Sequence, residues 1–257
     1  MDLLHGSSAF ASAFAAGAIN SVAGGGTLLT FPTLVWLGLN SVAANATSTV
    51  AIWPGSLGSM WGYRKELRSA DPRLLALTAP SLIGGIAGAL LLRFTPPSIF
   101  DALVPFLILF ATVLFMVQET VQRMFKTGDT RHHSAKWLAG AILFQFFVAL
   151  YGGYFGAGIG ILMLAALSIL GLTDIHQMNG LKNFFALCIN GVAAIYFVFA
   201  HMVEWPYVLV MVAGAIAGGV GGAGLARRMG RTAVRRVVIA IGFAMALSLF
   251  LKWVLKR

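Results

Sequence analysis

From end to end the chain alternates long apolar blocks with short polar or basic connections. The blocks cover residues 8–23, 27–62, 74–94, 99–118, 137–170, 174–200, 205–226 and 237–255. A helix needs about 20 apolar residues to cross the hydrocarbon core of a bilayer, and the blocks recur at or above roughly that length. The pattern predicts an all-α polytopic membrane protein. The opening "MDLLHGSS" lacks a basic stretch ahead of the first block and no small-residue cleavage site follows, so that block is expected to persist as a span.

Sliding the sequence against itself gives one clear register, in which residue i lies on residue i+134. Gly84 to Arg93, "GGIAGALLLR", falls on Gly218 to Arg227, "GGVGGAGLAR". In the same frame Asp71-Pro72 meets Trp205-Pro206, Asn45 meets Asn179, and Gly24 and Gly26 meet Gly158 and Gly160. The chain therefore reads as an internal duplication. Its parts are a first repeat at 1–118, a cytoplasmic linker at 119–136 and a second repeat at 137–257.

Charge then orients the repeats. Lysine and arginine crowd the connections 63–73, 123–136 and 227–236, which the positive-inside rule places in the cytoplasm. Connections 95–99 and 201–206 carry neither residue and read as external. Equivalent connections thus fall on opposite sides, so the repeats are expected to have inverted topology, with both termini external. Lys252, Lys256 and Arg257 pull the other way at the C-terminal end, against five arginines in 227–236. Inverted repeats are a signature of alternating-access transporters.

Composition narrows the class. At 59% hydrophobic and 10% charged, the chain has too little charge to cover a water-soluble surface of its size. The net charge of +10 sits in the short connections, where orientation explains it better than nucleic-acid binding. Cys188 is the single cysteine, which leaves no internal disulfide or cysteine metal cluster. The run "GVGGAG" at 219–224 matches a dinucleotide pattern, yet it lies inside an apolar block with no strand before it. Gly84 and Gly88, and Gly214, Gly218 and Gly222, are spaced by four and suit close helix contact instead.

The candidate chemistry lies at two other glycine clusters. Gly24, Gly25 and Gly26 in "SVAGGGTLLTFP", and Gly156, Gly158 and Gly160 in "GAGIGIL", interrupt apolar sequence at corresponding places. Unwound backbone inside a bilayer survives only where protein, water or a ligand completes its hydrogen bonds. Helices broken at these glycines near the midplane would expose N–H groups at each restart, an arrangement that attracts anions. Close packing through small residues is the other reading.

Polar residues follow each cluster. The first repeat offers Asn45, Thr47 and Ser48, and the second His176, Asn179, Lys182 and Asn183. Asp174 reads as a helix N-cap, which puts Lys182 about 12 Å inside its helix. An ammonium at that depth is costly unless paired or hydrated, and no acid stands three or four residues away. A bound anion or snorkelling to the interface would each accommodate it. Asn20 and Ser21 supply further polar groups beside the first cluster, and His176 is a candidate for proton coupling.

The stretches "AGAINSVAGGGTLLTFPTL" and "LGLNSVAANATSTVA", then "GGYFGAGIGILMLAAL" and "LGLTDIHQMNGLKN", strongly resemble the TauE/SafE family of sulfite exporter-like permeases. The resemblance implies a multi-pass permease of a bacterial or archaeal cytoplasmic membrane. Its substrates would be small anions such as sulfite, organosulfonates or carboxylates. It carries the glycine motif onto Gly24, Gly25, Gly26, Gly156, Gly158 and Gly160. The polar stretch after it is carried onto Asn45, Thr47, Ser48, Asn179, Lys182 and Asn183.

The expected activity is alternating-access secondary transport of a small anion, without cofactor, metal or nucleic acid; a homodimer is compatible with it. An anion channel is the alternative. An enzyme is not expected, because the scattered histidines supply neither a nucleophile–base pair nor a metal set.

Overall fold

The computed structural model describes residues 2–20, 25–62, 64, 67, 72–124, 135–170, 172, 174–222 and 231–255. Among them the chain is helical with no strand, as the apolar pattern requires. The first half comprises α1 (Leu3–Asn20), α2 (Thr27–Trp36), α3 (Ser41–Gly62), the short α4 (Pro72–Leu75), α5 (Thr78–Phe94) and α6 (Pro97–Met124). The second comprises α7 (Ala135–Tyr154), α8 (Ile159–Ile169), α9 (Ile175–Phe199), α10 (Trp205–Ala217) and α11 (Arg231–Leu255). A π-helical turn at Gly218–Gly222 extends α10. Helices α6 and α7 reach into the segment expected as a linker, and 125–134 lies outside the described residues.

Local chemistry explains the starts. Asn40 Oδ1 accepts the Ala43 N–H at 2.8 Å and its carbonyl accepts from Ala44, which makes Asn40 the N-cap of α3. Asp174 does the same for α9, through Gln177 at 3.5 Å and Met178 at 2.9 Å. Proline at the first position of α6 and in the first turn of α10 sits where no N–H is needed.

Element boundaries keep the sequence register. Ser41 and Ile175 start α3 and α9, Pro97 and Arg231 start α6 and α11, and Asn20 and Tyr154 end α1 and α7, each pair 134 residues apart. Packing keeps it too. Helix α5 lies against α7 as α1 lies against α10; α5 meets α9 as α10 meets α3; α3 packs on α9, and α6 on α11. Where α3 crosses α9, Trp53 Nε1 donates to the carbonyl of Leu187, its own equivalent 134 residues on, at 3.1 Å.

The glycines spaced by four are contact points. A Cβ at Gly218 would stand 1.9 Å from the Phe14 carbonyl oxygen, and one at Gly214 2.6 Å from that of Phe10. On the α5–α7 pair, Gly88 and Gly84 hold the same relation to the carbonyls of Leu150 and Phe146, at 2.1 and 2.6 Å. Bare backbone therefore touches backbone in both helix pairs.

Polarity is distributed opposite to that of a water-soluble bundle. Ile83, Leu91, Phe94, Leu103, Phe106, Phe147, Leu209 and Leu247 are exposed, while Thr30, Asn45, Thr47, Ser48, Ser81, Thr112 and Gln145 are buried. Among the described residues, two segments, Pro97–Val117 and Gln177–Phe199, are long and apolar enough to cross a membrane, and shorter apolar helices accompany them.

Several connections gather at one end of the bundle. Arg93 Nη1 donates to the Ala200 carbonyl at 3.2 Å, and Tyr207 Oη lies 3.5 Å from His5 Nδ1. The N-terminal turns of α1 thus share that end with connections 95–99 and 201–206.

Candidate functional site

Helix α7 stops at Tyr154 and α8 starts at Ile159, with Gly156 and Gly158 between them at φ near +80°. That conformation costs an L side chain about 1–2 kcal/mol, so glycine is the residue that lets the chain turn here. The Tyr151 carbonyl accepts both Phe155 and Gly156 N–H, and the Tyr151 hydroxyl donates to the Ala157 carbonyl at 2.8 Å. Ile161 N–H folds back to the Gly158 carbonyl. Among the described residues, the N–H groups of Gly158, Ile159 and Gly160 reach no backbone carbonyl. They give the start of α8 its partial positive charge.

Lys182 comes to this start from α9. Its aliphatic stem covers Gly160, where an added Cβ would lie 3.2 Å from Lys182 Cδ. Its Nζ donates to Asn179 Oδ1 at 3.1 Å, one turn earlier on the same helix. Asn190 borders the other flank of the break: its Oδ1 is 3.7 Å from the Cβ position at Gly156.

The first break is closed differently. Gly25 has φ +92°, and Asn20 Oδ1 accepts the Gly26 N–H at 2.8 Å, so the last residue of α1 covers the start of α2. Leu28, Leu29 and Thr30 N–H bond to the carbonyls of Gly25 and Gly26. The Thr30 hydroxyl shares a 2.6 Å hydrogen bond with Ser48 on α3. Ser21 and Gly24 lie outside the described residues.

Asn45 joins the two halves. It is buried, and its Nδ2 donates at 2.9 Å to the carbonyl of Tyr154, the last residue of α7. Thr47 turns elsewhere and accepts the Glu204 N–H at 3.0 Å, which ties α3 to the entry of α10. Asn183 is half-buried on α9; His176 lies in the first turn of α9, with its side chain outside the described residues.

Three groups result: Asn20, Gly26 and Ser48 at the start of α2; Asn45 and Gly156 at the end of α7; Gly160, Asn179 and Lys182 at the start of α8. Rings pack beside the break, with Phe31 edge-on to Phe155 at 5.3 Å and Phe100 edge-on to Tyr154 at 5.5 Å. Thr30, Tyr151 and Tyr154 were not among the residues expected from sequence. The register offered one signal, since Tyr154 is the equivalent of Asn20 and ends its helix at the same place.

The family model described as sulfite exporter TauE/SafE matches residues 9–249. The chain belongs to the TauE/SafE family. Relatives agree in length as well as in sequence. A probable membrane transporter protein of Haemophilus influenzae is 29% identical over 92% of this chain and 91% of its own length. The probable membrane transporter proteins ORF9 of Sinorhizobium and YfcA of Escherichia coli K12 are 24% and 25% identical. Each alignment covers 93% of this chain, with 90% of ORF9 and 87% of YfcA. No solved structure matches. A TauE/SafE protein is a membrane transporter, and the apolar exterior around a polar interior is what a lipid solvent demands.

Proposed function

We propose that this TauE/SafE protein is a secondary carrier of small anions in a bacterial or archaeal cytoplasmic membrane. Sulfite, organosulfonates and small carboxylates are the substrate classes. The observation that carries the reading is the meeting of Lys182 with the start of α8, where the lysine stem lies against Gly160 beside N–H groups without backbone partners. Asn179 orients the ammonium. Asn20, Ser21, Asn45, Thr47, Ser48, Asn183 and His176, with Gly24, Gly25, Gly26, Gly156 and Gly158, complete the binding region.

The two repeats are inverted in this reading and the breaks lie near the midplane. The 134-residue bond from Trp53 to Leu187 supports it, because a residue that touches its own equivalent lies on the axis relating the repeats. The shared end of connections 95–99 and 201–206 with the first turns of α1 agrees with an external N-terminus. Two packings of nearly equal energy would open the region to either side in turn. An inside-negative potential favours anion exit by about 2.3 kcal/mol per charge per 100 mV, so export as uniport would need no other driver, whereas import would need a coupling ion.

The test uses purified protein. A thermal-shift screen against sulfite, sulfate, thiosulfate, sulfoacetate, taurine and lactate identifies the anion that stabilises the chain by mass action. Proteoliposomes loaded with that anion then show saturable counterflow, which a channel lacks. Lys182→Ala is expected to insert and melt as wild type does, with transport reduced at least about tenfold, the loss of one charge-assisted hydrogen bond. Wild-type transport by this variant would refute the site.

A further inference from the structure

Asn45 Oδ1 is a buried acceptor without a hydrogen-bond partner among the described residues; Asn45 itself is 1% exposed. Its orientation is fixed, because the amide must turn Nδ2 to the Tyr154 carbonyl. In lipid surroundings a buried polar atom left without a partner calls for an explanation.

The repeat register supplies one. Asn45 corresponds to Asn179, Ser48 to Lys182 and Gly26 to Gly160. In the second repeat the asparagine Oδ1 receives the lysine ammonium at 3.1 Å. In the first repeat the lysine position is Ser48, whose hydroxyl is engaged by Thr30, and the asparagine Oδ1 receives no hydrogen bond from the described residues. Equivalent acceptors thus differ by one positive charge.

The surroundings favour a cation at the first-repeat position. Asn45 is hydrogen-bonded to the end of α7, the negative pole of that helix. The α7 carbonyls of Gly152 and Gly153 accept no backbone N–H among the described residues. Tyr154 O adds a neutral oxygen at the same helix end. Unwound carbonyls and helix C-terminal ends of this kind hold Na+ in broken-helix transporters.

We propose that Asn45 Oδ1 is a ligand of Na+ bound at the end of α7, and that this ion is coupled to anion binding at the start of α8. The coupling rests on the anion-carrier reading; the cation site stands by itself. The ion does for the first repeat what the Lys182 ammonium does for the second. It also gives an import-capable carrier a driving ion without an intramembrane carboxylate.

The test measures melting of the full chain in detergent, with NaCl against choline chloride and KCl at equal ionic strength. The anion selected by the screen is present or absent. Na+ is expected to raise the melting temperature by several degrees and to tighten anion binding. Replacing Na+ with choline in proteoliposomes should slow anion uptake at least about tenfold, as loss of one ligand-dependent step would.

A second arm uses Ser48→Lys, which tethers an ammonium where the register places one; its melting should no longer respond to Na+. Stabilisation by the anion with no difference between Na+ and choline in wild type overturns the cation site and leaves the anion reading intact. Stabilisation by Na+ with no anion effect does the reverse. A Ser48→Lys protein that still requires Na+ overturns the equivalence with Lys182.

Discussion

Gly218→Ala tests whether backbone contact between α1 and α10 holds the first helix in place. The added methyl would lie 1.9 Å from the Phe14 carbonyl oxygen, while ordinary contact begins at 3.4 Å, so the backbones must part by the difference of 1.5 Å. No rotamer relieves this, because the obstacle is main chain. Ala9, Ala13 and Ala16 are fully buried on α1, so the separation opens a well-packed face. Overpacking of this kind costs about 3 kcal/mol, offset by about 1 kcal/mol of helix propensity over glycine. The net of about 2 kcal/mol corresponds to a fall of about 4–8 °C in melting temperature.

The adjacent glycine is the control. A Cβ at Gly219 meets nothing within 4 Å, so Gly219→Ala retains the propensity gain without the clash. It should melt at the wild-type temperature or about 2–4 °C above it. Both variants are followed by thermal loss of the monodisperse peak on size exclusion in detergent. Equal melting of the two, or a lower value for Gly219→Ala, would refute the claim that α10 approaches α1 along the Gly218 face.

Asn20→Ala removes the acceptor for the Gly26 N–H and should lower stability by about 1–2 kcal/mol, read from the same melting assay. Gly158→Ala meets only ordinary contacts at 3.5 Å or more, so its cost of about 1–2 kcal/mol is purely that of φ +80°. Gly158→Asn should melt above Gly158→Ala, since asparagine tolerates this conformation better. Residues 1–124 expressed alone should be degraded in the cell, whereas co-expression with 125–257 should restore both fragments and allow their co-purification; survival of the first fragment alone would argue against mutual support.

The 134-residue register was legible because its markers are local in each half. Matching glycines and the N-caps Asn40 and Asp174 survive in register, and spacing by four announced the close faces at Gly84, Gly88, Gly214 and Gly218. Apolar blocks were less informative about ends. Block 27–62 merged α2 with α3, and block 137–170 merged α7 with α8, because the turns at 37–40 and 155–158 are themselves mostly apolar or glycine. The polar pairs could not be read at all. Thr30 meets Ser48 across 18 residues, Asn45 meets Tyr154 across 109, and Glu204 meets Thr47 across 157. No local pattern encodes such partners; the packing of α3 against α2 and against the second half creates them.

Those same pairs show how a chain can stop helices inside apolar surroundings. Each helix end leaves four N–H or four C=O groups without an intrahelical partner, and each costs several kcal/mol in hydrocarbon if nothing completes it. Here first-half side chains reach second-half backbone at helix ends: Asn45 to the Tyr154 carbonyl and Thr47 to the Glu204 N–H. Asn20, by contrast, serves Gly26 within its own half. The end of α7 therefore depends on α3 for its hydrogen bonding. A shift of α3 relative to α7 would break the Asn45–Tyr154 bond unless another group took its place. Any motion between the halves is thus tied to the polar groups at the break.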